Sequence, residues 1–136
     1  MRKLFTAVSL LSVVLFSCAD GKKQEKDLFN EVIKVHDQVM AKEEVLMTNK
    51  MQLDTLIKEN KKPGINAEAT QLVKQLDSVD TSMENWMHNF DAENKGKSHN
   101  EIITYLTDQK KQIDAIDKQF NTTIAASSTF IKQNKN

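Results

Sequence analysis

The chain contains a single cysteine, Cys18, so no disulfide can close within it and no multi-thiolate metal site can form. It contains a single arginine, Arg2, at the extreme N-terminus. The rest of the chain therefore has no guanidinium fork for bidentate grip on phosphate or carboxylate. One proline, Pro63, and three glycines, Gly21, Gly64 and Gly96, leave few places where a helix must stop. Neither sign of charge prevails, with 19 basic and 19 acidic side chains. Lysines alternate with acids instead of clustering, which with the missing arginines argues against a nucleic-acid partner. No strand-like alternation, βαβ pattern or glycine-rich phosphate loop is present. What remains is rich in Lys, Glu, Gln, Leu and Met, the composition of long helices.

The N-terminus has its own character. Arg2 and Lys3 precede an apolar run from Leu4 to Phe16, shorter than the ~20 residues that span a bilayer. Leu15-Phe16-Ser17 then leads into Cys18, which resembles the lipobox of a bacterial lipoprotein signal, with Phe16 where a small residue is usual. The resemblance implies removal of residues 1–17 and a lipid-bearing (palmitate) Cys18 as the membrane anchor. It places the protein in a bacterial cell envelope, facing the periplasm, with inner or outer membrane left open. Removing Arg2 and Lys3 leaves 17 basic against 19 acidic residues in 18–136, a formal charge of −2. Residues 18–26, polar and containing Gly21, are expected to form a flexible tether. Residues 27–136 are expected to form one domain.

Three helices are expected there. From Asp27 as N-cap, apolar residues recur mainly in steps of three and four through Phe29, Val32, Ile33, Val39, Met40, Leu46, Met47, Leu53, Leu56 and Ile57, predicting a helix over 27–60. Pro63-Gly64 should stop it, and Asn66 should cap a second helix over 66–90. Ala69, Leu72, Val73, Leu76, Val79, Met83, Trp86, Met87 and Phe90 give that helix a regular heptad stripe. Ser98 and Glu101 form a capping box for a third, over 99–133, after the polar loop 91–97. Within it, the stretch from Thr122 to Thr129 is rich in poor helix formers and is expected to be weakly helical or frayed. Short connections make neighbours antiparallel, so the expected fold is an all-α, up-down-up three-helix bundle with coiled-coil-like packing.

Two constellations break the apolar pattern. His36, Glu43 and Lys50 recur every seven residues, so they share one seam of the first helix. Either the bundle opens there and the long stems reach water, or they form a polar layer fixing helix register, with Gln109 as partner. His36 with Met40, and Met83 with Met87, are spaced one helical turn apart. Imidazole and thioether suit copper, thioether particularly Cu(I), although methionine at heptad positions ordinarily fills cores. No Ser-His-Asp arrangement or carboxylate pair stands out, so an enzyme is not expected. His36 and Asp37, adjacent on a helix, are expected to diverge.

Three stretches, His36-Asp37-Gln38-Val39-Met40, Trp86-Met87-His88-Asn89-Phe90, and Tyr105-Leu106 leading to Gln109-Lys110, resemble a family of small helical lipoproteins of Bacteroidota-type bacteria. These are often labelled "viral A-type inclusion protein", and the resemblance covers approximately residues 27–128. It implies no activity. It does imply a setting in which Asp-Ser/Thr followed by an apolar residue can be O-glycosylated, which singles out Thr55 and Ser78. The leading expectation is a lipid-anchored binding or scaffold module, with Phe130 and Ile131 exposed for a protein partner or self-association. The alternatives are a copper-handling lipoprotein using His36, Met40, Met83 and Met87, and an envelope chaperone.

Overall fold

The computed structural model describes residues 15–59 and 62–134, with side chains from residue 20 onward. The signal-like segment through residue 14 and the side chain of Cys18 lie outside the described residues. Among those residues the chain is all-α: α1 (Leu15–Met40), α2 (Glu43–Glu59), α3 (Pro63–Asn89) and α4 (His99–Asn134). At ~1.5 Å per residue, α4 alone is about 54 Å long.

Cross-helix contacts give the arrangement. Glu25 meets His99, Lys42 meets Asp117, and Asn49 meets Ile124, so α1 and α2 run parallel to α4. Phe29 meets Phe90, Lys50 meets Asp77, and Asn66 bonds the Ile57 carbonyl, so α3 runs antiparallel to the first rod. The three rods run up, down and up.

The first rod differs from the single helix expected over 27–60. It is broken at Ala41-Lys42, where the Lys42 N–H reaches the Val39 carbonyl at 2.9 Å, a tightened turn. The heptad nonetheless runs through the break, with Val32, Val39, Leu46 and Leu53 all fully buried. Lys42 occupies the seam position that Val35 and Leu56 fill with apolar side chains seven and fourteen residues away. The rod also starts earlier than expected. Residues 20–26, read as a flexible tether, belong to α1. Lys22, Lys23, Gln24, Glu25 and Lys26 are good helix formers, and packing on α4 outweighs the cost of about 1 kcal/mol for one glycine. Gly21 has a packing role, since a Cβ there would sit 3.3 Å from the His99 ring.

Pro63 and Gly64 open α3 instead of only closing the preceding helix, three residues before the expected start. Proline at the first helical position loses no hydrogen bond, and its fixed φ suits the helix. Asn66 bridges back to α2 by donating to the Ile57 carbonyl at 3.3 Å. Most of the α3 stripe is as the heptad predicts, with Ala69, Leu72, Leu76, Val79, Met83 and Trp86 buried, but Val73 is only partly buried and Met87 is exposed. Each large side chain contributes about 1.5–3 kcal/mol by leaving water.

The far end of α4 departs most from expectation. Residues 122–129 are helical, with Thr123 and Ser127 buried. Asn49 of α2 is the reason. Its Nδ2 donates to the hydroxyls of Ser127 at 2.8 Å and Ser128 at 2.9 Å, and Ser127 in turn donates to the Ile124 carbonyl at 3.0 Å. Small hydroxyl residues that weaken an isolated helix satisfy a buried amide here. Phe130 and Ile131, expected on an exposed overhang, are only 6 % and 5 % exposed. The earlier start of α3 carries the bundle to the end of α4, and Leu56, Ile57 and Ile65 join the same core. Phe130→Ala should therefore lower unfolding stability in urea by about 3–5 kcal/mol, as core Phe truncations do. Chain mass by light scattering should stay unchanged.

Candidate functional site

Aromatic rings from three helices gather at the end of the bundle that carries the α3–α4 loop. Trp86 and Phe90, one turn apart on α3, stack at 4.8 Å. Phe90 also meets Phe29 of α1 at 6.0 Å and Tyr105 of α4 at 6.2 Å, and His36 of α1 lies 6.0 Å from Trp86. The heptad of α3 places Trp86 and Phe90 toward the axis, and the loop brings Tyr105 back beside them.

The loop is built around Asp91. Its Oδ1 accepts the N–H groups of Glu93 and Asn94, each at 3.1 Å, its other oxygen pairs with the Lys97 ammonium, and its own N–H donates to the Tyr105 hydroxyl at 2.7 Å. Asn94 and Gly96 sit at φ +50° and +77°, the left-handed region the turn requires. Lys97 also lies 5.0 Å over the Tyr105 ring. The capping box is half realised. Glu101 accepts the Ser98 N–H at 2.7 Å, but the Ser98 hydroxyl donates to that same carboxylate instead of receiving a backbone bond. The Lys97 ammonium, then the backbone N–H groups, hold Asp91 below the usual carboxylate range; the Ser98 hydroxyl and N–H do so for Glu101.

Beside the aromatic stack an open groove of about 320 Å³ lies between α3 and α4, within the size range of ligand clefts. Its walls are Ser82, Asn85 and Asn89 on α3, and Gln109 and Gln112 on α4; Trp86 and Ile116 form its apolar part. Trp86 is 5 % exposed, and its indole N–H has no acceptor in the fold. An unsatisfied buried donor costs about 1–3 kcal/mol. A larger groove, about 770 Å³, separates the start of α1 from α4 and is lined by Asp20, Asp27, Glu31 and His99 among others. The Glu25–His99 contact at 2.7 Å bridges the two helices there.

The residues singled out in the sequence separate into groups. Of the soft-ligand set, Met83 is in the core, Met40 packs at its edge, and Met87 is exposed. His36 turns its Nδ1 to Asp37 Oδ1 at 2.9 Å, so these sequence neighbours do meet: both side chains swing around the helix. Among the described residues no group of three or more His, Cys, Asp or Glu side chains could hold a metal ion. The seven-residue spacing of His36, Glu43 and Lys50 is real, but the polar cross-links at the seam lie one residue earlier, at Lys42 with Asp117 and Asn49 with Ser127. Glu43 is exposed, and Lys50 reaches sideways to Asp77, whose hydrogen bond, opposed in part by burial, raises the Lys50 pKa. Gln109 faces α3 across the groove, away from Lys50. Thr55 and Ser78 are both exposed, and the Thr55 hydroxyl donates to the Met51 carbonyl. Of the groove amides the sequence singles out only Gln109, and for another role. Asn85, Asn89 and Gln112, neutral polar residues beside a heptad, look like ordinary solvated surface, and their lack of charge is the available signal.

Carboxylates with lowered pKa stabilise the fold above their unfolded pKa, and that contribution is lost as pH falls through the folded one. The loop 91–98 should therefore loosen selectively as pH drops below about 4, the ordinary carboxylate range. NMR titration of the Asn94 and Ser98 amides checks this, and Asp91→Asn with Glu101→Gln should flatten the acid response.

No described helix is long and apolar enough to cross a membrane. No protein-family model, no curated protein and no solved structure matches the chain.

Proposed function

We propose that this protein is a lipid-anchored helical binding module of a bacterial cell envelope, held by acyl chains on Cys18. The observation that carries the proposal is the N-terminal pattern: Arg2-Lys3, the apolar run to Phe16, and Leu15-Phe16-Ser17 before the lone cysteine. The resemblance to small helical lipoproteins of Bacteroidota-type bacteria points the same way. Several acyl chains anchor a protein far more firmly than one.

The fold gives the anchor a mechanical meaning. Residues 20–26 are helical and joined to α4 through Glu25 and His99, so little slack lies between Cys18 and the packed bundle. The aromatic end and the 91–98 loop then face the headgroups, and the end bearing Phe130 points away. In this account the bundle stands upright on its membrane and presents its long seams to the periplasm. Binding along those seams, not chemistry, is the role the geometry supports best. The open groove beside Trp86 is the surface feature that most favours it.

Expression of the full chain in a bacterium fed an alkyne fatty acid tests the anchor. The chain should take up label, lose residues 1–17 and partition into detergent, whereas Cys18→Ser should do none of these. Equal labelling of Cys18→Ser, or an unlabelled chain that keeps residues 1–17, would contradict the proposal.

A further inference from the structure

The three seams of the bundle are chemically unequal. The seam between the first rod and α3 carries Lys50–Asp77. The seam between the first rod and α4 carries Lys42–Asp117 and Glu25–His99, with Lys110–Asp114 on the same flank of α4. Among the described residues, none of those lining the α3–α4 groove is charged. On α3 its polar wall is Ser82, Asn85 and Asn89, in steps of three and four. On α4 it is Gln109, Gln112 and Ile116, in steps of three and four. Positions flanking a helical seam ordinarily carry Glu and Lys, and 28 % of this chain is charged. The α3 wall of the groove, about 11 Å from Ser82 to Asn89, is thus uncharged where the other two seams carry ion pairs.

The amides at its centre are also unclaimed. The side chains of Asn85, Gln109 and Gln112 make no hydrogen bond with any described residue, although each can donate and accept. Beside them lies the indole N–H of Trp86, buried and without an acceptor. The two apolar liners, Trp86 and Ile116, are already buried, so a protein partner would gain little apolar area here. A charged ligand would find no opposite charge in the walls. Amides without charge match groups that both donate and accept, above all hydroxyls, which replace groove water bond for bond.

We propose that the α3–α4 groove binds a neutral, hydroxyl-rich ligand, a short uncharged oligosaccharide segment, through Asn85, Gln109 and Gln112 beside Trp86. This deepens the reading of the protein as a binding module by naming a ligand class. It does not depend on the anchor, so failure of lipid labelling leaves it standing, and the converse also holds.

Trp86 is the only tryptophan in the chain, so the indole fluorescence comes from a wall of this groove. The full chain, in a detergent without a sugar headgroup, is titrated with maltotetraose, cellotetraose and chitotetraose, and with anionic tetragalacturonate. Saturation-transfer NMR on the same sugars reports binding even where the emission does not move. At least one neutral tetrasaccharide should bind saturably and more tightly than tetragalacturonate. The Gln109→Ala, Gln112→Ala double variant should weaken it about tenfold or more, with unchanged helical circular dichroism. Three results would overturn the proposal: no saturable signal by either method, binding that the double variant leaves intact, or tetragalacturonate binding equally well. Self-association abolished by the double variant, without any sugar response, would also overturn it and assign the groove to a second copy of the chain.

Discussion

Everything in this bundle follows from the register between its first rod and α4. The cross-links between them join residues 74, 75, 78 and 79 apart, from Glu25–His99 at one end to Asn49–Ser128 near the other. A nearly constant separation over that length is what two parallel rods in a single register produce. Apolar heptads alone leave such rods free to slip by seven residues, because each slip presents another Val, Leu or Ile to the core. A buried amide that needs particular hydroxyls does not tolerate the slip. Asn49 at its level finds Ser127, Ser128 and the Ile124 carbonyl together. Moved by a heptad, it would meet Phe120 or the end of α4 and remain unsatisfied, at a cost of about 1–3 kcal/mol.

That register fixes the two ends of the molecule. At one, it brings Gly21 against the His99 ring and Glu25 against its nitrogen, so α1 continues as packed helix down to the residues after Cys18. At the other, it draws Phe130 and Ile131 into the core with Leu56, Ile57 and Ile65. It also decides which flanks carry ion pairs. With Lys42, Lys50 and Glu25 on the first rod, complementary charge on α3 and α4 is used facing that rod. The groove beside Trp86, between α3 and α4, is lined by none of these charges.

The heptad of α3 was largely legible, because its apolar positions run uninterrupted from Ala69 to Phe90; Met87, one step off the buried row, is the exposed exception. The three-rod all-α architecture followed from periodicity and the scarcity of breakers. The first rod was harder to read. Its seam is half polar, and Lys42 with Asn49 fits the same seven-residue spacing as Glu43 with Lys50, one position over. Only the partners on α4 distinguish the two frames, and those lie 75 or more residues away. Thr122 to Thr129 looked like weak helix for the same reason, since local propensity contains no information about Asn49. At the N-terminus, Gly21 suggested a tether, whereas its missing side chain lets α1 lie close to His99. The neutral α3–α4 flank was present in the sequence as an absence of charge, which becomes informative only once the other two seams are seen to be charged.

Because Cys18 is the only native thiol, cysteine pairs can test the register directly in a Cys18→Ser chain. Disulfides form readily only when Cα atoms lie within about 7 Å. Glu25→Cys with His99→Cys, and Lys42→Cys with Asp117→Cys, should each cross-link within one chain under mild oxidation. The pairs displaced by one heptad, Glu25→Cys with Leu106→Cys and Lys42→Cys with Ile124→Cys, should cross-link far more slowly. Faster closure of the displaced pairs would contradict the register, and with it the docked N-terminal helix and the uncharged groove that depend on it.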